Sequence, residues 1–235
     1  MRLVRRVPGR VAILACAAGV VLARPAARAQ DVPPWPDTFL ARVQALALIQ
    51  TLNAEILGST SATASLETWC RDHRLAPDPT IVARVVTGVT RLADPDTRQR
   101  LEVGPADEIK FRRVQLRCGT RLLSEADNWY VPARLPGEMN RVLETTGTPF
   151  GRAVAPLEPY RRTFAVRMLW TPLPHGWEQM PTTLPGASAA NGTLTIPAAL
   201  FEHRAVLYTR ANQPFSEVDE IYQRDVLAFP LPSGR

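Results

Sequence analysis

Residues 123–152 constrain the fold more than any other stretch, because three kinds of local structure follow one another there without interruption. The segment NWYVP at 128–132 favours a β-strand, and its proline lacks the backbone donor that regular strand pairing needs. From Pro136 to Gly147, apolar side chains recur at helical spacing between residues that suit a helix start and a helix end. The sequence therefore predicts a strand, a short helix and then a rigid turn at TPFGR, residues 148–152.

The first 29 residues have the pattern of a secretory signal peptide. Four arginines lie within residues 1–10, an apolar run spans residues 11–23, and an A-x-A cleavage site occupies residues 27–29. A membrane anchor is the alternative, but a spanning helix needs about 20 consecutive apolar residues and this run is shorter. We therefore expect export to the periplasm, cleavage before Gln30, and no stable membrane insertion of the mature chain.

Removal of this segment changes the charge of the protein. The full chain has 28 basic and 22 acidic side chains, and residues 1–29 hold six of the basic ones and no acidic one. The mature chain is therefore formally neutral, with 22 side chains of each sign. A nucleic-acid partner would require a basic surface on the folded domain, so none is expected.

Two of the three cysteines, Cys70 and Cys118, remain in the mature chain. In an oxidising compartment an even pair predicts a disulfide. Two buried free thiols are the alternative, since the sequence does not show whether the two Cβ atoms come within bridging distance. The chain has only three histidines and neither a C-x-x-C nor an H-E-x-x-H motif, so no metal site is expected.

Helices are predicted in the first half of the mature chain, which is long enough for one domain with a substantial core. Apolar side chains recur at helical spacing over residues 38–57 and 66–73, whereas residues 80–90 suit either a helix or a strand. The stretch 30–107 is therefore expected to form an N-terminal helical region. We expect it to form one compact domain with residues 108–235.

Extended segments dominate from Glu108 onward. Five strand candidates with hairpin-like connections predict an antiparallel sheet, and a long proline-rich loop is predicted at 171–197. The candidates span residues 109–118, 122–132, 161–170, 202–210 and 215–229. The expected fold class is therefore α+β, with helices that flank an antiparallel sheet.

Short motifs in residues 108–229 follow a characteristic order. They are R-R-V-x-L, V-P-x-R-L, a helix, T-P-F-G-R, H-R-A-V-L-Y and finally Q-P-F-x-E-V-x-E-I-Y. This order resembles that of the chorismate pyruvate-lyase family and its superfamily, which includes the UTRA effector-binding domains of transcription regulators. The NWYVP segment is similar to that of an exported branch of this superfamily. The resemblance implies about six antiparallel strands, flanked by helices, that enclose a small aromatic carboxylate.

The resemblance also implies an activity and a set of site residues. The lyase removes pyruvate from chorismate to leave 4-hydroxybenzoate, and it uses neither a metal nor a cofactor. An arginine that begins a central strand binds the substrate carboxylate, and a glutamate on the last strand assists proton transfer. These roles fall on Arg112 and on Glu220, the expected catalytic residue. Substrate binding is further implied for Val114, Arg134 and Gly151, which lie in the matched motifs.

The chemistry of Arg112 and Glu220 agrees with these roles. A guanidinium binds a carboxylate through two hydrogen bonds and stays charged when buried. Burial of a glutamate in an apolar strand would raise its pKa, which suits a proton donor near neutral pH. The alternative for either residue is an ion pair at the sheet surface or edge.

Two departures from the lyase pattern leave the function open. Counted from Pro214, the lyase spacing falls on Asp219 rather than Glu220, and a shift of one residue reverses the face of a strand. In addition, chorismate is a cytoplasmic intermediate, whereas this chain carries an export signal. The protein is therefore expected to be either an exported carbon–oxygen lyase that acts on chorismate or a related acid, or a non-catalytic small-carboxylate-binding protein of the cell envelope. A structural envelope protein without a pocket is the third alternative.

Overall fold

A six-stranded antiparallel sheet forms the centre of the protein. The computed structural model describes residues 34–181 and 192–231. The strands are β1 (Ile81–Val85), β2 (Lys110–Cys118), β3 (Arg121–Tyr130), β4 (Tyr160–Met168), β5 (Ala199–Tyr208) and β6 (Pro214–Gln223). Their order across the sheet is β1-β2-β3-β6-β5-β4. The predicted α+β class with an antiparallel sheet is confirmed.

Helices flank this sheet. They are α1 (Phe39–Leu57), α2 (Ala62–Asp72), α3 (Pro95–Arg100), α4 (Gly137–Thr145) and α5 (Phe150–Ala153). The rigid turn predicted at TPFGR therefore includes the short helix α5. The last strand also ends earlier than predicted, because Arg224–Leu227 forms a 3-10 helix. Within the described residues, none of the helices combines the length and the apolar character needed to cross a membrane.

Helix α1 begins where Thr38 caps it, since the Thr38 side chain accepts a hydrogen bond from the backbone N–H of Ala41. Its buried side chains recur at helical spacing, and they are Ala41, Ala45, Ile49, Leu52 and Ile56. All of them except Ala41 pack into the largest core cluster together with α2 and the sheet. The two helices thus cover one face of the sheet, which we call the helical face and which carries Val114, Leu116 and Tyr222.

The sixth strand comes from the region that was expected to be helical, residues 30–107. Strand β1 pairs with β2 from Ile81 opposite Cys118 to Val85 opposite Val114. The choice between helix and strand for residues 80–90 is thus decided in favour of a strand at 81–85. The sequence did not decide between a helix and a strand there, because a short edge strand gains its hydrogen bonds from a partner distant in sequence.

The outer edge of β1 is covered by the turn that follows α4. The N–H of Ala83 donates to the carbonyl oxygen of Gly147 at 3.0 Å. A Cβ atom at Gly147 would lie 2.9 Å from the carbonyl oxygen of Ala83, so only glycine allows this approach. Gly147 therefore does more than end α4: it fixes the turn at residues 146–148 against the sheet.

The predicted disulfide is confirmed. Cys70 on α2 and Cys118 at the end of β2 are bonded, and their Cα atoms lie 6.5 Å apart. Both residues are fully buried in the largest core cluster. The bond ties α2 to the helical face of the sheet.

The remaining predictions concern segments that lie partly or wholly outside the described residues. In the predicted loop at 171–197, Trp177–Gln179 forms a 3-10 helix and Thr193 makes an isolated bridge with Pro36. The signal peptide predicted for residues 1–29 and its cleavage site lie outside the described residues.

Candidate functional site

A cavity of about 520 Å³ opens on the helical face of the sheet. Its floor is formed by strands β2, β3, β4, β5 and β6, and its walls by the start of α2 and the segment from α5 to β4. Apolar side chains of Leu116, Phe150, Leu207 and Val218 contribute to the lining. The cavity therefore has a partly apolar lining of the kind that accommodates a small organic molecule.

Strand register brings the two principal predicted residues onto this cavity. Val114 on β2 lies opposite Ala126 on β3, which in turn lies opposite Glu220 on β6. Arg112 is two residues from Val114 and therefore shares its face. Arg112, Val114 and Glu220 all line the cavity. The sheet thus brings these three predicted residues together.

Asp219, the residue at the lyase spacing, lies on the other face of the sheet. It pairs in register with Asp127, whose carboxylate accepts hydrogen bonds of 2.5 and 2.6 Å from Arg113. Neighbouring strand residues alternate between faces, so Asp219 cannot share the cavity with Glu220. The structure thereby decides the register in favour of Glu220.

The burial of Asp219 leads to a prediction about stability and pH. Burial, and then the nearby carboxylate of Glu202, raise the pKa of Asp219 to about 6. Its stabilising contribution is therefore complete below pH 3.8, its unperturbed value, and is lost as the pH rises through about 6. At pH 7.5 the variant Asp219→Asn should have a free energy of unfolding about 1–2 kcal/mol higher than the wild type, and therefore a higher unfolding temperature. This gain in stability should vanish near pH 4.

Thermal unfolding of both proteins between pH 4 and pH 8 measures this effect. Asp127→Asn is a matched control on the same face, because it breaks the ion pairs of Asp127 with Arg113 and Arg91. That control should lower the unfolding temperature at pH 7.5. A lower unfolding temperature for Asp219→Asn would contradict the prediction.

Arg112 is a buried cation without an acidic partner in the part of the chain that the structure describes. Its side chain is held by two backbone carbonyls, since Nη1 donates to Thr148 and Nη2 to Thr146 at 3.1 Å each. Nε is buried and has no hydrogen-bond partner among the described residues, and the residue is only 6% exposed. Burial lowers the pKa of Arg112, and no described carboxylate forms an ion pair that would offset this effect. The TPFGR turn therefore orients this guanidinium but does not neutralise it.

Glu220 has a different environment from the isolated acid that was expected. Its Oε2 lies 2.7 Å from Nη2 of Arg161, in an ion pair whose side chains are 8% and 5% exposed. The hydroxyl of Tyr222 donates to the same oxygen at 3.0 Å. Burial, followed by the charge of Glu220, raises the pKa of Tyr222 well above its usual value, so this hydroxyl keeps its proton. Glu220 is therefore in a buried ion pair that lines the cavity, rather than in the ion pair at the sheet surface or edge that was the alternative.

Sequence reasoning missed Arg161. This residue is near the start of β4, lies opposite Leu207 on β5, and lines the cavity. The only available signal was its position at the start of a predicted strand, which is also the position of Arg112. Arg162 is adjacent and equally basic, so the sequence alone did not distinguish the inward arginine.

The other predicted substrate-binding residues have separate roles. Gly151 lines the cavity, and a Cβ atom there would lie 3.0 Å from Oγ of Ser61 at the start of α2. Arg134 is not among the described lining residues. Its guanidinium binds the backbone carbonyls of Leu101, Glu102 and Pro214. Arg134 therefore joins the end of α3 to the start of β6, since a planar guanidinium satisfies several carbonyls at once, and its role in substrate binding stays a prediction.

The charges around the cavity are balanced except at Arg112. Arg152 pairs with Glu67, and Glu158, also in the lining, pairs with Arg210. Together with the pair of Arg161 and Glu220, these contacts leave Arg112 as the cation of the described lining that lacks a carboxylate. Nowhere in the described ranges do three or more potential ligand side chains group around a metal position.

The sheet, the cavity on its helical face and a buried arginine that has no ion pair with any described residue define an α+β protein with a candidate ligand pocket. No family model matches the chain. The chain is 52% identical over 199 residues to the uncharacterized protein y4mC of Sinorhizobium fredii, which covers 84% of this chain and 83% of that protein. It therefore belongs to the same family as y4mC.

Two solved structures of regulators are distantly similar. The effector domain of PhnF from Mycobacterium smegmatis matches at 13% identity with a TM-score of 0.45, over 76% of this chain and 98% of that one. The possible transcriptional regulator YydK from Bacillus subtilis matches at 14% identity with a TM-score of 0.39, over 66% of this chain and 62% of that one.

Proposed function

We propose that this protein binds a small aromatic carboxylate, outside the cytoplasm, in the cavity on the helical face of its sheet. The observation that supports this most strongly is the buried guanidinium of Arg112, which lacks a carboxylate partner among the described residues. An unpaired buried charge costs several kcal/mol, and a ligand carboxylate would offset that cost through charge-assisted hydrogen bonds.

The dimensions and lining of the cavity agree with one aromatic ring. Ligand pockets commonly measure about 300–1,000 Å³, and this cavity of about 520 Å³ lies within that range. Phe150, Leu207 and Val218 supply apolar surface to its lining, beside the polar side chains of Arg112 and Glu220. A ring with a carboxylate directed to Arg112 would keep its apolar edges on these side chains.

The polar region around Glu220 supplies contacts for a second substituent. Glu220 is a hydrogen-bond acceptor, and Arg161 beside it is a donor. A hydroxyl group both donates and accepts, so it matches this pair of side chains. Hydroxybenzoates therefore fit the proposal better than aromatic acids without a hydroxyl.

Titration calorimetry with the mature protein tests carboxylate binding directly. Benzoate and 4-hydroxybenzoate should bind saturably at one site. Benzamide is a matched control of similar shape without a charge, and it should bind at least about tenfold more weakly, since a charged hydrogen bond is worth about 1.5–3 kcal/mol. Equal affinity for benzamide and benzoate would contradict the proposal.

Export is part of the proposal and rests on the signal-peptide pattern of residues 1–29 and on the disulfide between Cys70 and Cys118. Disulfides persist mainly in oxidising compartments. Intact-mass measurement of protein from the periplasmic fraction should give a chain that begins at Gln30. A full-length chain confined to the cytoplasmic fraction would contradict export.

Pyruvate elimination from chorismate is the second candidate function, because Glu220 and Arg112 line the same cavity, as the lyase resemblance requires. If the protein is a lyase, the mature chain should release pyruvate from chorismate without added metal. Glu220→Gln should then lower that rate by about 100-fold or more, the usual effect of losing a general acid or base. Asp219→Asn, on the opposite face, should leave it nearly unchanged.

A coupled assay for pyruvate measures these rates. Saturable binding of an aromatic acid without pyruvate release from the wild-type protein would identify a binding protein and exclude the lyase. A larger loss of rate from Asp219→Asn than from Glu220→Gln would contradict the role given to Glu220.

A further inference from the structure

Asn128 is a buried polar residue of the cavity to which the sequence analysis gave no role. It lies on β3 directly opposite Arg112 on β2, and it lines the same cavity. Only 2% of its surface is exposed. Directly opposed strand residues have Cβ atoms about 4.5–5.5 Å apart, so the amide of Asn128 and the side chain of Arg112 are immediate neighbours on the helical face.

The amide of Asn128 is only half satisfied. Its Nδ2 donates to Oγ of Ser216 at 2.9 Å, whereas its Oδ1 is buried without a hydrogen-bond partner among the described residues. The hydroxyl of Ser216 can donate as well as accept, so the amide could also be turned over. In either orientation one polar atom of the amide is left without a partner, which is costly in a buried position.

Asn140 shows that an unpartnered amide oxygen is not by itself the sign of a site. Its Oδ1 also lacks a partner among the described residues, but its Nδ2 donates to the carbonyls of Pro132 and Leu135 at the start of α4. It is not among the described lining residues of the cavity. What distinguishes Asn128 is the combination of its half-satisfied amide, its place in the cavity wall and its position opposite an unpaired arginine.

We propose that Asn128 binds a hydroxyl group next to the ligand carboxylate, so that the preferred ligands are 2-hydroxy carboxylates. This rests on the proposed carboxylate binding by Arg112. A hydroxyl can donate to Oδ1 or accept from Nδ2, and thus satisfies the amide in either orientation. A carboxylate and a hydroxyl on adjacent carbon atoms also match two neighbouring side chains on one face. A hydroxyl across the ring, as in 4-hydroxybenzoate, reaches the Glu220 region instead.

Titration calorimetry of the mature protein with benzoate, 2-hydroxybenzoate and 3-hydroxybenzoate tests this. The wild-type protein should bind 2-hydroxybenzoate at least about tenfold more tightly than benzoate, the effect of one additional hydrogen bond in a buried site. The 3-hydroxy isomer should lack most of this advantage. Asn128→Leu, which has the same branched shape, and Asn128→Ala should reduce the ratio of the two affinities to about one. Asn140→Ala is the matched control and should keep the wild-type ratio.

The outcomes of this experiment separate the role of Asn128 from carboxylate binding by Arg112. Equal wild-type affinity for benzoate and 2-hydroxybenzoate, or an advantage that persists in Asn128→Leu, would overturn the role of Asn128 and leave carboxylate binding by Arg112 intact. Failure of all three acids to bind the wild-type protein would overturn both. Thermal unfolding of each variant shows that it is folded, and the wild-type ratio tests the inference without any variant.

Discussion

Replacement of Arg112 by alanine is expected to abolish binding of small carboxylates, with a loss of affinity of about 100-fold or more. Removal of one partner from a buried, hydrogen-bonded charge pair costs about 2–5 kcal/mol or more, because the other charge is left without compensation. The ligand carboxylate would be that other charge, since its proposed partner is the guanidinium that lacks a described acidic neighbour. Arg112→Lys should also weaken binding, because an ammonium does not reproduce bidentate geometry.

Titration calorimetry with benzoate or 4-hydroxybenzoate measures this loss. Arg113→Ala is a matched control, since Arg113 is adjacent on β2 but lies on the opposite face and pairs with Asp127. The control should lower thermal stability and leave ligand affinity nearly unchanged. Arg112→Ala should weaken ligand binding and leave thermal stability nearly unchanged, because Arg112 contributes no described ion pair to the fold. Unchanged affinity in Arg112→Ala would show that the ligand is bound elsewhere.

Loss of the disulfide is expected to produce the largest decrease in stability. The bond joins residues 48 positions apart in sequence, and closure of such a loop contributes about 4 kcal/mol on the chain-entropy account. For a chain of this size, that corresponds to a decrease of about 8–16 °C in unfolding temperature. The double variant Cys70→Ala with Cys118→Ala avoids an unpaired thiol, and its unfolding temperature can be compared with the wild type by calorimetry.

Reductant supplies the control for this comparison. It should lower the unfolding temperature of the wild-type protein and leave that of the double variant unchanged. Two alkylatable thiols in native, unreduced protein would contradict the assignment of the bond between Cys70 and Cys118.

The distinction between a lyase and a binding protein depends on what Glu220 does in its pair with Arg161. The sequence suggested an acid surrounded by apolar side chains. The structure instead gives the carboxylate two neighbours, Arg161 and the hydroxyl of Tyr222, both on the helical face. A carboxylate held in this way is well suited to accept a hydrogen bond from a ligand hydroxyl. To act as a proton donor, Glu220 would have to give up its contacts with the guanidinium of Arg161 and the hydroxyl of Tyr222.

Local patterns in the sequence were sufficient for several features. The helical periodicity of residues 39–57 predicted α1, and the even cysteine pair predicted the disulfide. Five extended segments predicted five of the six strands. The short strand β1 was not distinguished from a helix, because five residues do not establish a period and the strand depends on pairing with β2.

The sequence also indicated individual site residues through the order of the family motifs. Arg112, Val114, Gly151 and Glu220 were indicated in this way, and all four line the cavity. Arg134 was indicated by the same motifs but binds backbone carbonyls outside it. A motif conveys which residues recur in a family, but not whether a given side chain supports a loop or contacts a ligand.

By itself, the sequence determined the elements that depend on neighbours along the chain: the main helices, most strands and the residue types available for an anion site. Only the tertiary structure decided that Glu220 rather than Asp219 faces the cavity, that Arg161 neutralises Glu220, and that Asn128 lies opposite Arg112. The physical reason is that backbone preferences and periodicity act over a few residues, whereas strand register and ion pairing join residues far apart in sequence. A shift of one residue in the pairing of any of these strands would have placed the side chains of that strand on the other face.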